Sequence, residues 1–150
     1  MRAALLRVPR APLVLGLAGL LPFLWGALTA HLGSFGADAL LGARLVGGAA
    51  LVSYGTVILC FMSGVLWGFA TRLTGAAALR GYIYSVIPAL WAFFCVGGAG
   101  SLLALMLGFA ALLALDMWFV RAGAAPDWWM PLRLVLTSVV LACLVLGALA

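Results

Sequence analysis

The sequence predicts an all-α integral membrane protein, a single bundle of five transmembrane helices that occupies residues 1–150. Of its 150 residues, 68% are hydrophobic and 7% are charged, whereas soluble domains are about 45–50% apolar and about 25% charged. Eight Arg and three Asp are too few to cover a water-facing surface. Several uncharged runs reach the length of a bilayer crossing. Composition therefore excludes an ordinary soluble enzyme, a disordered tail and a disulfide-stabilised secreted mini-protein.

The first predicted span covers about residues 11–32. No charged residue occurs between Arg10 and His31, and a helix of this length extends about 30 Å, the thickness of the hydrocarbon core. A cleaved signal peptide is the alternative, because arginines precede the apolar run. The run is long for that purpose, and the nearest cleavage candidate, 28–30, begins with Leu where a small residue is required. We therefore expect a retained helix.

Arginines and turn residues divide the remaining chain into four further spans. An apolar run between Arg44 and Arg72 forms the second span. The next uncharged run, 81–115, is too long for one helix, and the glycine-rich segment 97–101 is a turn signal that divides it. The short third helix leaves a partly re-entrant segment as the alternative there. The predicted spans after the first are therefore about 45–71, 82–98, 101–120 and 132–150.

Arginine placement predicts the orientation, because cytoplasmic loops carry an excess of Arg and Lys. Five spans with a cytoplasmic N-terminus leave only Arg44 outside, a split of seven against one. Fusing the third and fourth spans would weaken the split to five against three. The sequence therefore predicts five spans with an external C-terminus. The arginines on the cytoplasmic side are Arg2, Arg7, Arg10, Arg72, Arg80, Arg121 and Arg133.

The second span carries a stripe of small, weakly polar residues, which we call the small-residue seam. Membrane helices associate through small residues, because lipid tails are as apolar as a Leu side chain. We therefore expect the seam to pack inside the bundle. A polar path for a solute or proton, and a homo-oligomer contact through the Gly-x-x-x-Gly pair, are the alternatives. The seam consists of Ser53, Thr56, Cys60, Ser63, Gly64 and Gly68.

Asp116 is the one carboxylate that falls within a predicted span, near its cytoplasmic end. A carboxylate inside a membrane needs a partner or a function. Arg133 opens the next span and approaches Asp116 across a short hairpin, so the sequence predicts a structural ion pair. A transport or proton-transfer role, and contact with a partner or lipid, are the alternatives. His31, a lone imidazole at the end of the first span, is expected to be an interfacial side chain.

Tryptophans mark the predicted membrane interfaces, since amphipathic rings favour the headgroup layer. Trp128 and Trp129 lie between two prolines beside Arg133. We expect this segment to lie flat on the cytoplasmic surface. Trp67 flanks the second connection at the same leaflet.

Motifs for catalysis and for cofactors are missing from the sequence. It contains no His-Glu-x-x-His, no Gly-x-Ser-x-Gly, no phosphate loop and no dinucleotide fingerprint. The cysteines, Cys60, Cys95 and Cys143, lie far apart within apolar runs and form no metal motif. We therefore expect no enzyme, no cofactor, no metal site and no nucleic-acid partner.

Short strings occur in a fixed order along the chain. They are Leu21-Pro22-Phe23, then Tyr54-Gly55-x-Val57-Ile58-Leu59-x-Phe61 with Gly64 and Trp67-Gly68, then Tyr84-Ser85-Val86-Ile87-Pro88, Leu115-Asp116, Trp128 and Leu132-Arg133-x-x-Leu136-Thr137. In this order they resemble the DUF3429 family of small membrane proteins, whose mitochondrial relatives include a five-span inner-membrane protein. The chain departs from the usual family strings at Met62-Ser63, Met117 and Trp129.

The resemblance implies a fold and adds no activity. We expect an accessory or assembly subunit that packs against other subunits of a larger membrane complex, for example a respiratory one, in the lipid bilayer. A small-solute or proton transporter that uses Asp116 and the small-residue seam is the alternative. The expected location is the bacterial cytoplasmic membrane, because the ten residues before the first span are too few for a mitochondrial transit peptide.

Overall fold

The computed structural model describes residues 8–150, a part of the chain that is helical and contains no strand. Arg2 and Arg7 lie outside the described residues. Five helical segments are long and apolar enough to cross a membrane, so the predicted fold class is confirmed. In order along the chain, the elements are α1 (Arg10–Ala18), α2 (Leu21–Leu32), α3 (Ala37–Leu41), a 3-10 turn (Ala43–Leu45), α4 (Gly47–Ala70), α5 (Gly75–Cys95), α6 (Ser101–Arg121) and α7 (Trp129–Leu149).

The first span, Arg10–Leu32, is interrupted at Gly19 and Leu20. Pro22 lies in the first turn of α2. A proline inside a helix lacks its N–H and collides with the carbonyl four residues earlier, here that of Ala18. The helix therefore ends at Ala18 and restarts at Leu21.

The third span differs from its predicted bounds, 82–98. It begins at Gly75 and ends at Cys95, and its 21 residues are enough for a full crossing. The prediction treated Arg80 as a helix boundary. In the structure Arg80 is exposed within α5, where its long side chain can reach the headgroup layer. A re-entrant segment is therefore not needed to explain this part of the chain.

Helix α4 lies at the centre of the bundle and contacts α2, α5, α6 and α7. Its buried face repeats every three or four residues and includes Leu51, Leu59 and Leu66, all of which are fully buried. Glycines from two other helices allow close packing on this face. A Cβ atom built on Gly26 would lie 2.8 Å from Leu51, and one built on Gly108 would lie 2.8 Å from Leu59.

Two ends of the bundle are defined by long-range hydrogen bonds. At one end, which we call the arginine-rich end, Arg72 donates to the carbonyl of Ala124 at 2.8 Å. This bond joins the α4–α5 connection to the α6–α7 connection. At the opposite end, Nε2 of His31 lies 2.9 Å from the carbonyl oxygen of Leu146. The orientation of these ends in a membrane stays a prediction.

The connection from α2 to α4 covers the opposite end. It turns at Gly33, Gly36 and Gly42, whose positive φ angles favour glycine. The Ser34 hydroxyl donates a hydrogen bond to the exposed Asp38 carboxylate and lowers its pKa from the ordinary value of 3.8.

Candidate functional site

A tight turn places the end of α6 beside the start of α7. Gly123 adopts a φ of +70° just beyond the end of α6, a left-handed conformation that commonly ends helices. The N–H groups of Ala124 and Ala125 both donate to the carbonyl oxygen of Phe119, at 3.0 and 3.3 Å. The two helices are therefore antiparallel neighbours, and their side chains meet near the arginine-rich end.

Asp116 and Arg133 form a buried ion pair across this hairpin. The Nε atom of Arg133 lies 2.8 Å from Oδ2 of Asp116, with side chains that are 6% and 0% exposed. The indole N–H of Trp129 donates to the other carboxylate oxygen, Oδ1, at 2.7 Å. The structure thus brings together the two residues that the sequence pairs, and adds a third. Both oxygens of Asp116 have a donor, as a buried carboxylate requires.

Two polar atoms beside the pair have no hydrogen-bond partner in the described structure. They are Nη2 of Arg133 and Oγ1 of Thr137, both buried. A buried polar group without a partner costs about 1–3 kcal/mol. Helical threonines usually donate to the carbonyl four residues earlier, as Thr29 does at 2.8 Å and Thr56 does at 2.7 Å. The Thr137 hydroxyl makes no such hydrogen bond.

A cavity of about 420 Å³ lies between the first span, α4 and α7, with Arg133 and Thr137 in its wall. We call it the Arg133 cavity. The interruption of the first span faces it, since Gly19 and Leu20 also line it. The rest of the wall is mainly apolar and aromatic. It includes Phe23, Tyr54, Phe61, Phe109, Trp129 and Val140.

Comparison with known proteins places the chain in a family. The sequence model of the family described as "Protein of unknown function (DUF3429)" matches residues 8–149. The chain belongs to the DUF3429 family. It is also similar to Transmembrane protein 69 of Xenopus tropicalis, with 32% identity over 151 residues, which is 95% of this chain and 55% of that protein. The DUF3429 chain thus spans about half the length of this curated relative. No solved structure matches it.

Five of the six residues of the small-residue seam of this DUF3429 protein are not buried inside its bundle. Cys60, Gly64 and Gly68 are exposed, and Ser53 and Thr56 are partly exposed. A Cβ atom at Gly64 or Gly68 would meet nothing within 4 Å. The expectation of close internal packing at these two glycines is therefore wrong. Close approaches occur at other glycines instead, among them Gly26, Gly55 and Gly108.

Ser63 is the one buried member of the seam. Its hydroxyl oxygen accepts a hydrogen bond from the backbone N–H of Ala89 at 2.9 Å. Ala89 follows Pro88, which interrupts the regular hydrogen bonding of α5. Ser63 therefore joins α4 to α5 at the proline and has a structural role.

The predicted interfacial tryptophans occupy different environments. Trp67 is exposed and packs on Tyr82, with ring centroids 4.7 Å apart. Trp128 is partly buried, whereas Trp129 is the first residue of α7 and packs edge-to-face on Phe69 at 5.0 Å. Trp129 also donates to Asp116, so its indole N–H points into the bundle, and the interfacial position of Trp128 and Trp129 stays a prediction. The polar N–H of Trp129 has a better acceptor inside the bundle than in the headgroup layer.

Sequence reasoning missed the roles of Trp129 and Thr137 and the cavity beside them. The available signal was the spacing of Trp129, Arg133 and Thr137. Residues four apart share one face of a helix, so these three side chains form a polar row on α7, whose other residues are apolar apart from the exposed Ser138. The cavity itself depends on the interruption of the first span, which the row alone does not indicate.

The described residues contain no cluster of three or more His, Cys, Asp or Glu that could hold a metal ion. Cys60, Cys95 and Cys143 are free thiols. This site can donate hydrogen bonds into an apolar cavity. The donors are Arg133, whose charge is balanced by Asp116, and the hydroxyl of Thr137.

Proposed function

We propose that this DUF3429 protein is a non-catalytic subunit of a larger membrane complex, and that a transmembrane helix of a partner packs on the outward-facing seam of α4. One observation carries the proposal: Gly64 and Gly68 face outward with open space above them. A small residue in contact with lipid gives no packing advantage over Leu. It gives one where a second helix backbone approaches closely.

The surface beside these glycines has the shape that a partner helix needs. A shallow groove of about 340 Å³ runs between α4 and α5, lined by residues that include Gly64, Trp67, Ser85 and Ala89. Small side chains form its floor, and the exposed Trp67 ring stands at its edge. A helix that crosses here would bury the ring and the seam together.

The ion pair supports a subunit more than a transporter. Asp116 has a donor on both oxygens and is fully buried, so a proton or solute would have to displace Arg133 or Trp129 to reach it. The Arg133 cavity is lined by none of the six seam residues. A transport path that used both Asp116 and the small-residue seam would therefore not run through this cavity. The transporter remains the alternative that the experiment below tests.

The proposal includes location and orientation. We propose the bacterial cytoplasmic membrane as the location, and the excess of arginines at one end of the bundle supports an orientation with that end in the cytoplasm. The proposed partner is a membrane subunit, for example one of a respiratory complex, and no reaction is assigned to this chain.

Purification in a gentle detergent, followed by native mass spectrometry, tests the proposal. We expect a stoichiometric membrane partner with the wild-type protein. Gly64→Leu and Gly68→Leu should lose the partner without lowering the melting temperature, because a Cβ atom at either position meets nothing within 4 Å. Ala114→Leu, which enlarges an exposed position on α6, is the matched control and should keep the partner.

Three results would contradict the proposal. A wild-type protein that purifies alone, or as a symmetric oligomer, would favour a transporter or self-association. Partner binding that survives both glycine changes would exclude the seam as the contact. A partner lost equally with Ala114→Leu would show that any bulky surface change disrupts the complex.

A further inference from the structure

The Arg133 cavity is accessible from the lipid-facing surface of the bundle. Leu15 and Phe61 both line it, and they are 71% and 63% exposed. Its volume, about 420 Å³, lies within the range of about 300–1,000 Å³ that is typical of small-molecule sites. A molecule dissolved in the bilayer could therefore enter between the first span and α4 without crossing the bundle.

The wall of the cavity contains two residues with a buried hydrogen-bond donor that has no acceptor. Nη2 of Arg133 and the hydroxyl of Thr137 are buried without a partner, although buried polar atoms are nearly always paired. The side chains are four residues apart on α7 and are therefore neighbours. Both residues line the cavity, so one acceptor group placed between them there would offer a partner to both donors.

The charges in the wall select the kind of acceptor. Asp116 neutralises Arg133 at 2.8 Å, and Arg133 is the only charged residue among the described residues, 8–150, that line the cavity. An anionic ligand would place a second negative charge close to Asp116, and none of these lining residues supplies a second cation to balance it. A neutral acceptor takes the two hydrogen bonds without that repulsion.

The depth of the donors matches such a ligand. Arg133 is the fifth residue of α7, so it lies about 6 Å along the helix from its start. Thr137 lies about one turn deeper. The donors are thus close to one edge of the hydrocarbon layer, and the apolar wall extends from them toward its centre.

We propose that the Arg133 cavity binds a neutral, largely apolar molecule through a carbonyl oxygen that accepts hydrogen bonds from Arg133 and Thr137. Two classes of membrane molecule carry this group: acyl glycerolipids, through an ester carbonyl, and isoprenoid quinones, through a ring carbonyl. The site is separate from the outward seam of α4, so it does not depend on the proposed subunit role.

Photolabelling of the full chain in nanodiscs of an ether-linked phosphatidylcholine, which has no ester carbonyl to occupy the site, tests the proposal. The probes are a diazirine-bearing diacylglycerol and a diazirine-bearing benzoquinone with an isoprenoid tail. We expect one of them to label α7 in a saturable manner, and the stronger label identifies the source. A long-chain ketone should compete with the probe at least fivefold better than an alkane of equal length, because only the ketone has an acceptor oxygen.

Thr137→Val removes the hydroxyl at nearly constant volume. It should lower labelling at least fivefold without lowering the melting temperature, because it also removes an unpaired buried hydroxyl. Thr137→Ser should restore labelling. Thr56→Val is the matched control, since the Thr56 hydroxyl already donates to Val52 and does not line the cavity.

The competition assay needs no variant, so it remains decisive if Thr137→Val fails to fold. Equal competition by ketone and alkane would overturn the proposal. So would unchanged labelling of a folded Thr137→Val protein, absence of label from α7 with both probes, or a fatty carboxylate at alkaline pH that competes better than the ketone.

Discussion

Removing one member of the buried ion pair should destabilise the bundle strongly. Asp116→Asn keeps an oxygen for Trp129 and leaves the Arg133 cation without a counter-charge, with a side chain that is 6% exposed. Breaking a buried ion pair from one side costs about 3–5 kcal/mol. The low end applies here, about 3 kcal/mol, because the Arg133 side chain is long enough to reach the headgroup layer from the first turns of α7. Arg133→Gln strands a fully buried carboxylate and should cost about 3–5 kcal/mol.

The double change should cost clearly less than the sum of the two single changes. Asp116→Asn with Arg133→Gln removes both charges, and the two amides can hydrogen bond to each other. We expect a coupling free energy of about 2–3 kcal/mol, the upper part of the range for residues in direct contact. The measurement is equilibrium unfolding of all four proteins in mixed micelles.

An internal control separates this coupling from a general loss of stability. Asp127 is an exposed carboxylate in the α6–α7 connection. Asp127→Asn combined with Arg133→Gln should be additive within about 0.5 kcal/mol. Additive free energies for the Asp116 and Arg133 changes would refute the assigned pair. Full stability of Asp116→Asn, together with loss of a proton-dependent flux, would replace the subunit proposal with a transporter.

Three further outcomes are expected. Trp129→Phe keeps the ring and removes the donor to Asp116, so unfolding should become easier by about 1.5–3 kcal/mol; an unchanged melting temperature would exclude that hydrogen bond. Gly108→Ala places a Cβ 2.8 Å from Leu59 and should destabilise by about 1–3 kcal/mol, whereas Gly64→Ala should stabilise by up to about 1 kcal/mol; the reverse order would contradict the assigned faces. Topology reporters should be cytoplasmic after Arg121 and external at residue 150, and a cytoplasmic C-terminus would invalidate the predicted orientation.

The number of spans was predictable because arginines and glycine-rich turns interrupt the apolar runs. The ion pair was predictable because a carboxylate inside a span requires a counter-charge, and the hairpin offered Arg133. Both inferences rest on the high free energy of a charge in hydrocarbon. This cost restricts charged residues to loops or to ion pairs, so their positions in the sequence indicate the spans and the pair.

The faces of the helices were not predictable in the same way. In a soluble helix the polar face marks the outside, but in a membrane both the core and the surroundings are apolar. Gly64 and Gly68 could therefore face inward or outward with the same local pattern. The start of α5 was missed because Arg80, an exposed charge that the sequence suggests as a boundary, lies inside the helix, where its Nε donates to the carbonyl of Ala76.

The α6–α7 hairpin also has a consequence for synthesis. Asp116 precedes Arg133 by 17 residues, so at about 5–20 residues per second the ribosome makes the partner about 1–3 seconds later. If α6 entered the bilayer alone during that interval, its carboxylate would be unpaired there, at a high free energy. We therefore expect α6 and α7 to enter the bilayer together, as a pre-paired unit. Arg133→Gln, which leaves the Asp116 carboxylate without its cation, should fail at this insertion step and accumulate poorly, whereas Asp116→Asn removes the carboxylate and should not fail there.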